Sequence, residues 1–258
     1  MNIFIKNITL EVTRRCNLKC RHCMRGNSQN KDINYKYIDY ILQNNHSIGR
    51  LFFSGGEPLL NINAIIYTIN KIINEKLIVL SIGFNTNGTI FNESLINILL
   101  EYRKYCFDTF PNIYNEKKKI NPIHITFSND QFHDYEKNVI EKYKQFEDKI
   151  SYKETGNLDI LEDEIILSGR AKNLVFGKYF EFENKSLNIE KFNNNNYILD
   201  NYFYITVNGD ITTQGDGSYL DMDSNNLGKL DSYSFYNFIK YYYTETENKT
   251  YKLNKKRK

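Results

Sequence analysis

The sequence predicts an α/β fold: a partial (β/α)6, TIM-like barrel with a small C-terminal α+β extension. Three observations predict it. Apolar runs of strand period and helix period alternate through the first two thirds of the chain. Loops rich in glycine, cysteine and polar residues follow directly on the strand-like runs. Past about Phe176 the alternation gives way to a polar, Asn-rich stretch and then a hairpin signature. Repeated β-then-α units imply parallel strands with right-handed crossovers, and about six units fit a partial barrel. A doubly wound open sheet fits the same periodicity, so both remain open here.

The elements follow in order. Ile8 to Val12 reads as a strand leading into a cysteine loop. Tyr37, Ile38, Ile41 and Leu42 have helical spacing, with Asn34 as N-cap. Leu51–Phe53 is a short buried strand. Ile62, Ile65, Ile66, Ile69, Ile72 and Ile73 mark one face of a helix. Leu77 to Phe84 is the next strand, and Asn92 caps a helix carrying Leu95, Ile96, Leu99 and Leu100. Ile123 to Phe127 is a strand, and Asp134 caps a helix holding Val139, Ile140 and Tyr143. Further strands are expected near Ile150–Tyr152 and Ile165–Leu167. Tyr202–Val207, Asn208-Gly209 and Asp210–Thr213 spell a hairpin with a tight turn. A helix rich in Tyr and Phe is expected from Ser232 to Tyr243. These patterns divide the chain into a core at 1–175, an extension at 176–243 and a basic tail at 244–258.

Composition excludes several classes. At 258 residues, 41% hydrophobic and 25% charged, the chain is long enough and apolar enough to bury a core. No run reaches the roughly 20 apolar residues of a membrane span. The N-terminus lacks the features of a secretion signal, so a cytoplasmic protein is expected. The chain opens almost directly on its first strand, so no N-terminal peptide-recognition domain is expected. A net charge of +3 gives no reason to expect a nucleic-acid partner.

The chemistry starts at Cys16-Asn17-Leu18-Lys19-Cys20-Arg21-His22-Cys23, a CxxxCxxC loop directly after the first strand. Three thiolates this close can converge on one metal centre. A cubane has four irons, so three cysteines leave one iron without a protein thiolate, open to a chelating ligand. A structural zinc site is the other reading; it wants a fourth ligand, which His22 or Cys106 could offer. Arg14, Arg15, Arg21 and Arg25 surround the loop. They could damp the charge of a thiolate cluster or dock an acidic electron donor; a solvated basic face is the plain alternative.

With this motif the chain resembles the radical S-adenosylmethionine (SAM) superfamily. Ser54-Gly55-Gly56-Glu57-Pro58 after the second strand matches that family's GGEP segment. Asn85-Thr86-Asn87-Gly88 after the third is a weaker match. Thr126 to His133 looks like the DQFH variant found in some relatives, and Ser168-Gly169-Arg170-Ala171 like their GRA segment. The resemblance implies one [4Fe–4S] cluster on Cys16, Cys20 and Cys23, with SAM as second cofactor. It implies that Gly55, Gly56, Glu57 and Pro58 hold the SAM amino group. His22 is implied to lie near the adenine, Asn85, Asn87 and Ser128 to contact SAM, and Arg170 to pair with the methionine carboxylate. It further implies reductive cleavage of SAM to a 5′-deoxyadenosyl radical and hydrogen-atom abstraction from a substrate.

Residues 204–230 resemble the SPASM/twitch extensions of peptide-modifying relatives, but Gln214 sits where a cysteine would be expected and none follows Cys106. A cluster-free cap is expected. The expected partners are an electron donor such as flavodoxin or ferredoxin and a substrate that is a ribosomal peptide or protein side chain. A nucleotide or sugar, or a non-catalytic Fe–S regulatory role, are the alternatives. Cys106 reads either as a small buried core residue or as a hydrogen-atom donor to a substrate radical. His133 reads as a SAM or substrate contact or as a loop brace.

Overall fold

A computed structural model describes residues 2–43, 46–115, 117–118, 120–128, 137–155, 165–174, 177–179, 181–185, 187, 189–193, 196–230 and 235–241. Its elements in chain order are β1 (Asn2–Thr13), α1 (Tyr35–Ile41), β2 (His46–Gly55), α2 (Ile62–Asn74), β3 (Val79–Thr86), α3 (Glu93–Thr109), β4 (Ile123–Ser128), α4 (Lys137–Lys144), β5 (Ser151–Thr155), β6 (Ile189–Asn193), β7 (Asn196–Ile205), β8 (Asp210–Thr212), α5 (Tyr219–Ser224) and β9 (Gly228–Lys229). Short 3-10 turns occupy Pro58–Asn61 and Gly169–Asn173.

One sheet runs in the order β5-β4-β3-β2-β1-β7-β8-β9, with β6 also on β7. The strands from β5 across to β7 are parallel. The sheet is open. From β1 to β5 the strand order advances one step at a time without reversing. Crossovers of one hand then put every helix on the same face, whereas a doubly wound sheet needs a reversal. The fold is therefore a partial barrel.

Local sequence explains the helices. Asn34 caps α1, its side chain accepting from the Lys36 N–H at 3.0 Å. Asn92 caps α3, accepting from Leu95 N–H at 2.9 Å. On α2, Ile65, Ile69 and Ile72 are fully buried, while Ile62, Ile66 and Ile73 lie at the margin of that stripe. Each fully buried isoleucine contributes roughly 1.5–3 kcal/mol. Facing them, Leu51 and Phe53, Ile82 and Phe84, and Ile123, Ile125 and Phe127 form the outward side of the sheet. The alternate residues on the same strands face the concave side; toward the C-terminal strand ends they are polar or small, with Phe52 the apolar exception, while Ile48 and Val79 lie lower down.

Several expectations change. β1 and β2 are longer than the runs Ile8–Val12 and Leu51–Phe53 suggest, because the polar positions within them face the concave side. The segment Ile165–Leu167 forms only a bridge between Ile166 and Lys178. Ser168 N–H then turns back to the Ile166 carbonyl (2.8 Å) and starts the 3-10 turn, so no strand can continue. The expected hairpin is present as β7 and β8, closed by Gly209 N–H to the Thr206 carbonyl (2.9 Å) with Gly209 at φ +80°. Yet β7, which the sequence assigns to the extension, pairs in parallel with β1 along Asn2 to Leu10. Residues 235–241 are helical within the expected 232–243. Asp134 and the tail 244–258 lie outside the described residues. Among the described residues, no helix is long and apolar enough to cross a membrane.

Candidate functional site

The C-terminal ends of β1 to β4 converge on one cavity of about 400 Å³. Cys16, Cys20, His22 and Cys23 reach it from the loop after β1, and Gly55, Gly56, Glu57 and Pro58 from the end of β2. Asn85 and Asn87 come from the end of β3, Ser128 from the end of β4, and Arg170 from the 3-10 turn. Strand ends collect such residues because loops leave parallel strands there, free of the sheet's packing demands.

The cysteine loop is held from several sides. Cys16 N–H donates to Ser28 Oγ at 2.9 Å, and Leu18 N–H donates to Cys16 Sγ at 3.4 Å. Arg170 straps it: its backbone N–H donates to the Cys23 carbonyl (3.0 Å) and its Nε to the Cys20 carbonyl (2.9 Å). Asn87 Nδ2 donates to Asn17 Oδ1 at 2.9 Å, tying the loop to β3. The backbone of Gly56 lies against the loop so closely that a Cβ there would sit 2.5 Å from the Arg15 carbonyl oxygen and 2.9 Å from Cys16 Cβ. Gly55, at φ +156°, would place one 2.1 Å from the Thr13 carbonyl oxygen. Only glycine fits this approach.

Glu57 is buried, and all its donors come from its own chain. Oε1 accepts from Leu59 N–H (3.1 Å) and Thr86 Oγ1 (2.9 Å), and Oε2 accepts from Asn87 N–H (2.8 Å). Its carboxyl therefore fastens the end of β2 to the end of β3. Burial pushes it up to about 7, against the pull of those three donors.

The donor set fits an iron–sulfur cubane. Three thiols line one cavity, a backbone N–H already points at one sulfur, and a glycine cradle leaves room beside them. Burial pushes the Cys16 thiol above its ordinary value and the Cys20 thiol up to about 11, with Cys16 and Cys23 adding to the latter. Loading metal must then displace protons from sulfur. Among the described residues, no three His, Cys, Asp or Glu side chains meet at a single-ion site.

Cys106 is not part of this arrangement. It is fully buried on α3, on the outward side of the sheet, 4.0 Å from the Leu80 carbonyl and outside the cavity lining. Burial pushes its thiol up to about 12. The side chain is packed between helix and sheet, as a small core residue would be. Asp130, Gln131 and His133 lie outside the described residues.

The arginines around the loop also differ from expectation. Arg14 is fully buried, its Nε donating to Glu11 (2.9 Å) and its Nη1 and Nη2 to Asp223. Arg15 pairs with Asp32 (2.8 Å), and Arg25 sits over the Tyr204 ring (5.0 Å). Of the four, only Arg21 is exposed. Sequence reasoning missed Asp223, whose only signal is an acidic residue near a hairpin, and the apolar cavity wall of Leu18, Met24, Ile165 and Ile166.

A family model described as the radical SAM superfamily matches residues 10–145. An uncharacterized protein of Methanocaldococcus jannaschii is 38% identical over 106 residues, covering 38% of this chain and 35% of that one. The GTP 3′,8-cyclase of Clostridium acetobutylicum is 34% identical over 131 residues, covering 43% of this chain and 39% of the cyclase. The chain thus spans little more than a third of the length of these curated relatives. Among solved structures, Streptococcus suis SuiB bound to precursor peptide SuiA is 14% identical with a TM-score of 0.44, over 88% of this chain and 62% of that one. The structure of anSMEcpe with bound AdoMet is 16% identical with a TM-score of 0.41, over 58% and 41%. Likenesses this low carry no argument about function.

Proposed function

Because the chain belongs to the radical SAM superfamily, whose members use a [4Fe–4S] cluster and SAM, we propose that it cleaves SAM reductively and abstracts a hydrogen atom from a peptide or protein side chain. The observation that carries this reading is the meeting of Cys16, Cys20 and Cys23 with Gly55, Gly56 and Glu57 around one cavity.

When bound, a reduced cluster would supply the electron that breaks the sulfonium C–S bond of SAM. The chain's own residues do the rest. Cys16, Cys20 and Cys23 would hold the cluster, each giving up its thiol proton. Arg170, through the Cys20 and Cys23 carbonyls, keeps the loop from opening. Glu57 fixes the Gly55-Gly56 backbone against the loop, leaving main-chain acceptors there for the ammonium group of SAM. Asn85, Asn87 and Ser128 offer polar tips for the ribose, the His22 backbone would run beside the adenine, and Arg170 would pair with the methionine carboxylate. Leu18, Met24, Ile165 and Ile166 exclude water from the cavity. The likeness of residues 204–230 to the extensions of peptide-modifying enzymes supports the peptide side chain as substrate, and a flavodoxin or ferredoxin suits the electron supply.

The test is anaerobic reconstitution with iron and sulfide, then incubation with dithionite and SAM. Release of 5′-deoxyadenosine by the wild type, absent from the Cys16→Ala, Cys20→Ala, Cys23→Ala triple variant, supports the proposal. Equal yields from both, or zinc without inorganic sulfide in oxygen-protected protein, would overturn it.

A further inference from the structure

A second cavity, of about 450 Å³, opens on the concave side of the same sheet, further down the strands. Asn85 lines both cavities, so one trough runs from the cysteine loop down the sheet. Its floor is set by register. Arg50 on β2 pairs with Ser81 on β3, Gly83 with His124 on β4, and His124 with Ser151 on β5. One step nearer the cysteine loop, Asn85 pairs with Thr126 and Thr126 with Lys153. These residues share one face because side chains two apart point the same way. Gly83 makes room at the middle of this floor for the Phe52 ring, which a Cβ there would approach to 3.1 Å.

The charge of the floor is one-sided. Arg50, His124 and Lys153 line it, with the hydroxyls of Ser81, Thr126 and Ser151, and no Asp or Glu is among its described lining residues. Arg50 and Lys153 are exposed. The guanidinium of Arg50 lies over the Phe52 ring at 4.7 Å, which fixes its plane over the trough. Among the described residues neither Arg50 nor Lys153 forms an ion pair, in contrast to Lys6, Lys71, Lys144 and Lys229, which all do. Arg50 lies four residues, roughly 13 Å, down β2 from Ser54 at the cysteine cavity.

We propose that this lower cavity is the anchoring half of the substrate site and takes an anionic group, a carboxylate or a phosphate, on Arg50 and Lys153. The inference rests on the cavity above being the SAM site. It gives the substrate a shape: an oxyanion held at Arg50 with the reacting carbon on the order of 10 Å away, toward the cysteine loop. Two donors in a fork from Arg50 and one from Lys153 suit an oxyanion better than a neutral amide, whose single carbonyl oxygen carries no charge, and they repel a cation.

The test is calorimetric titration of the anaerobically reconstituted protein with SAM and no reductant. Two probes distinguish the sources: inorganic phosphate, and N-acetyl-glutamate amide with N-acetyl-glutamine amide as its neutral counterpart. Saturable one-to-one binding of phosphate or of the glutamate probe, weakened at least about tenfold in Arg50→Gln/Lys153→Gln, is expected. Which probe binds tells phosphate from carboxylate. Lys104→Gln/Lys142→Gln, which makes the same change of charge on the outer helices, should bind as the wild type does. Binding of neither probe, equal binding of the glutamine amide, or equal loss in both double variants overturns the proposal. Because no reductant is present, these outcomes are independent of whether SAM is cleaved. Both exposed residues can be replaced without disturbing the core, and circular dichroism of the variants checks this.

Discussion

Arg14 and Asp223 meet across the molecule in a two-pronged ion pair: Nη1 donates to Oδ2 at 2.7 Å and Nη2 to Oδ1 at 2.5 Å. The arginine is fully buried directly before the cysteine loop, and the aspartate lies in the last turn of α5 in the C-terminal extension. Glu11 completes the set, accepting from Arg14 Nε at 2.9 Å, Tyr204 Oη at 3.2 Å and Val207 N–H at 3.0 Å. The extension thus supplies one of two counter-charges for a cation at the root of the loop. Asp223→Asn should cost about 2–3 kcal/mol in urea unfolding. That is less than the roughly 3–5 kcal/mol of a wholly unpaired buried charge, because Glu11 remains. An unchanged midpoint would show that the pair is dispensable.

Glu57 sets a pH dependence. Burial raises its carboxyl from 4.5 to about 7. A carboxyl raised in the folded state binds its proton more tightly there than in the unfolded chain. Its contribution is full below about 4.5 and is lost as pH rises through about 7, amounting to at most about 3 kcal/mol. In cluster-free protein, Glu57→Gln should flatten the fall in stability across that window. The amide nitrogen would also face donors at Thr86 or Asn87, at a cost of about 1–3 kcal/mol. A fall of the same steepness in the variant would assign the dependence elsewhere.

Gly56→Ala puts a methyl group 2.5 Å from a main-chain oxygen, which cannot swing aside as a side chain can. The expected outcome is a loss of about 1–3 kcal/mol and a lower content of iron and sulfide after reconstitution, since the displaced atoms belong to Arg15 and Cys16. Wild-type iron content would mean that the loop tolerates the shift.

Cys106→Ala should leave 5′-deoxyadenosine formation intact and cost about 1 kcal/mol from a small core void. Loss of product with iron and stability retained would instead favour the hydrogen-donor role.

Much of the site is legible in the sequence because each part of it is local. A strand-like run followed at once by cysteines, glycines or asparagines marks a strand end, and parallel strand ends share one edge. That logic brings Cys16, Gly56, Asn85 and Ser128 to one cavity without knowledge of any distance. Pairings between remote segments have no such signature. Nothing in the periodicity of Tyr202 to Val207 says that this run adds to β1 instead of leaving the sheet. Arg14 reads as one of four loop cations, and only the structure shows it sealed between Glu11 and Asp223. Cys106 is ambiguous because a thiol is both a small apolar group and a reactive one; its place on the helix side decides.

The position of β1 between β2 and β7 has a consequence for the protein as it leaves the ribosome. Leu10 pairs with Phe53 on one side and Ile205 on the other. The second partner is translated about 195 residues later, roughly 10–40 s at ordinary rates of synthesis. Throughout that interval the nascent chain presents a finished strand with one bare edge, open to any other extended segment. A strand made early is thus among the last to be sealed.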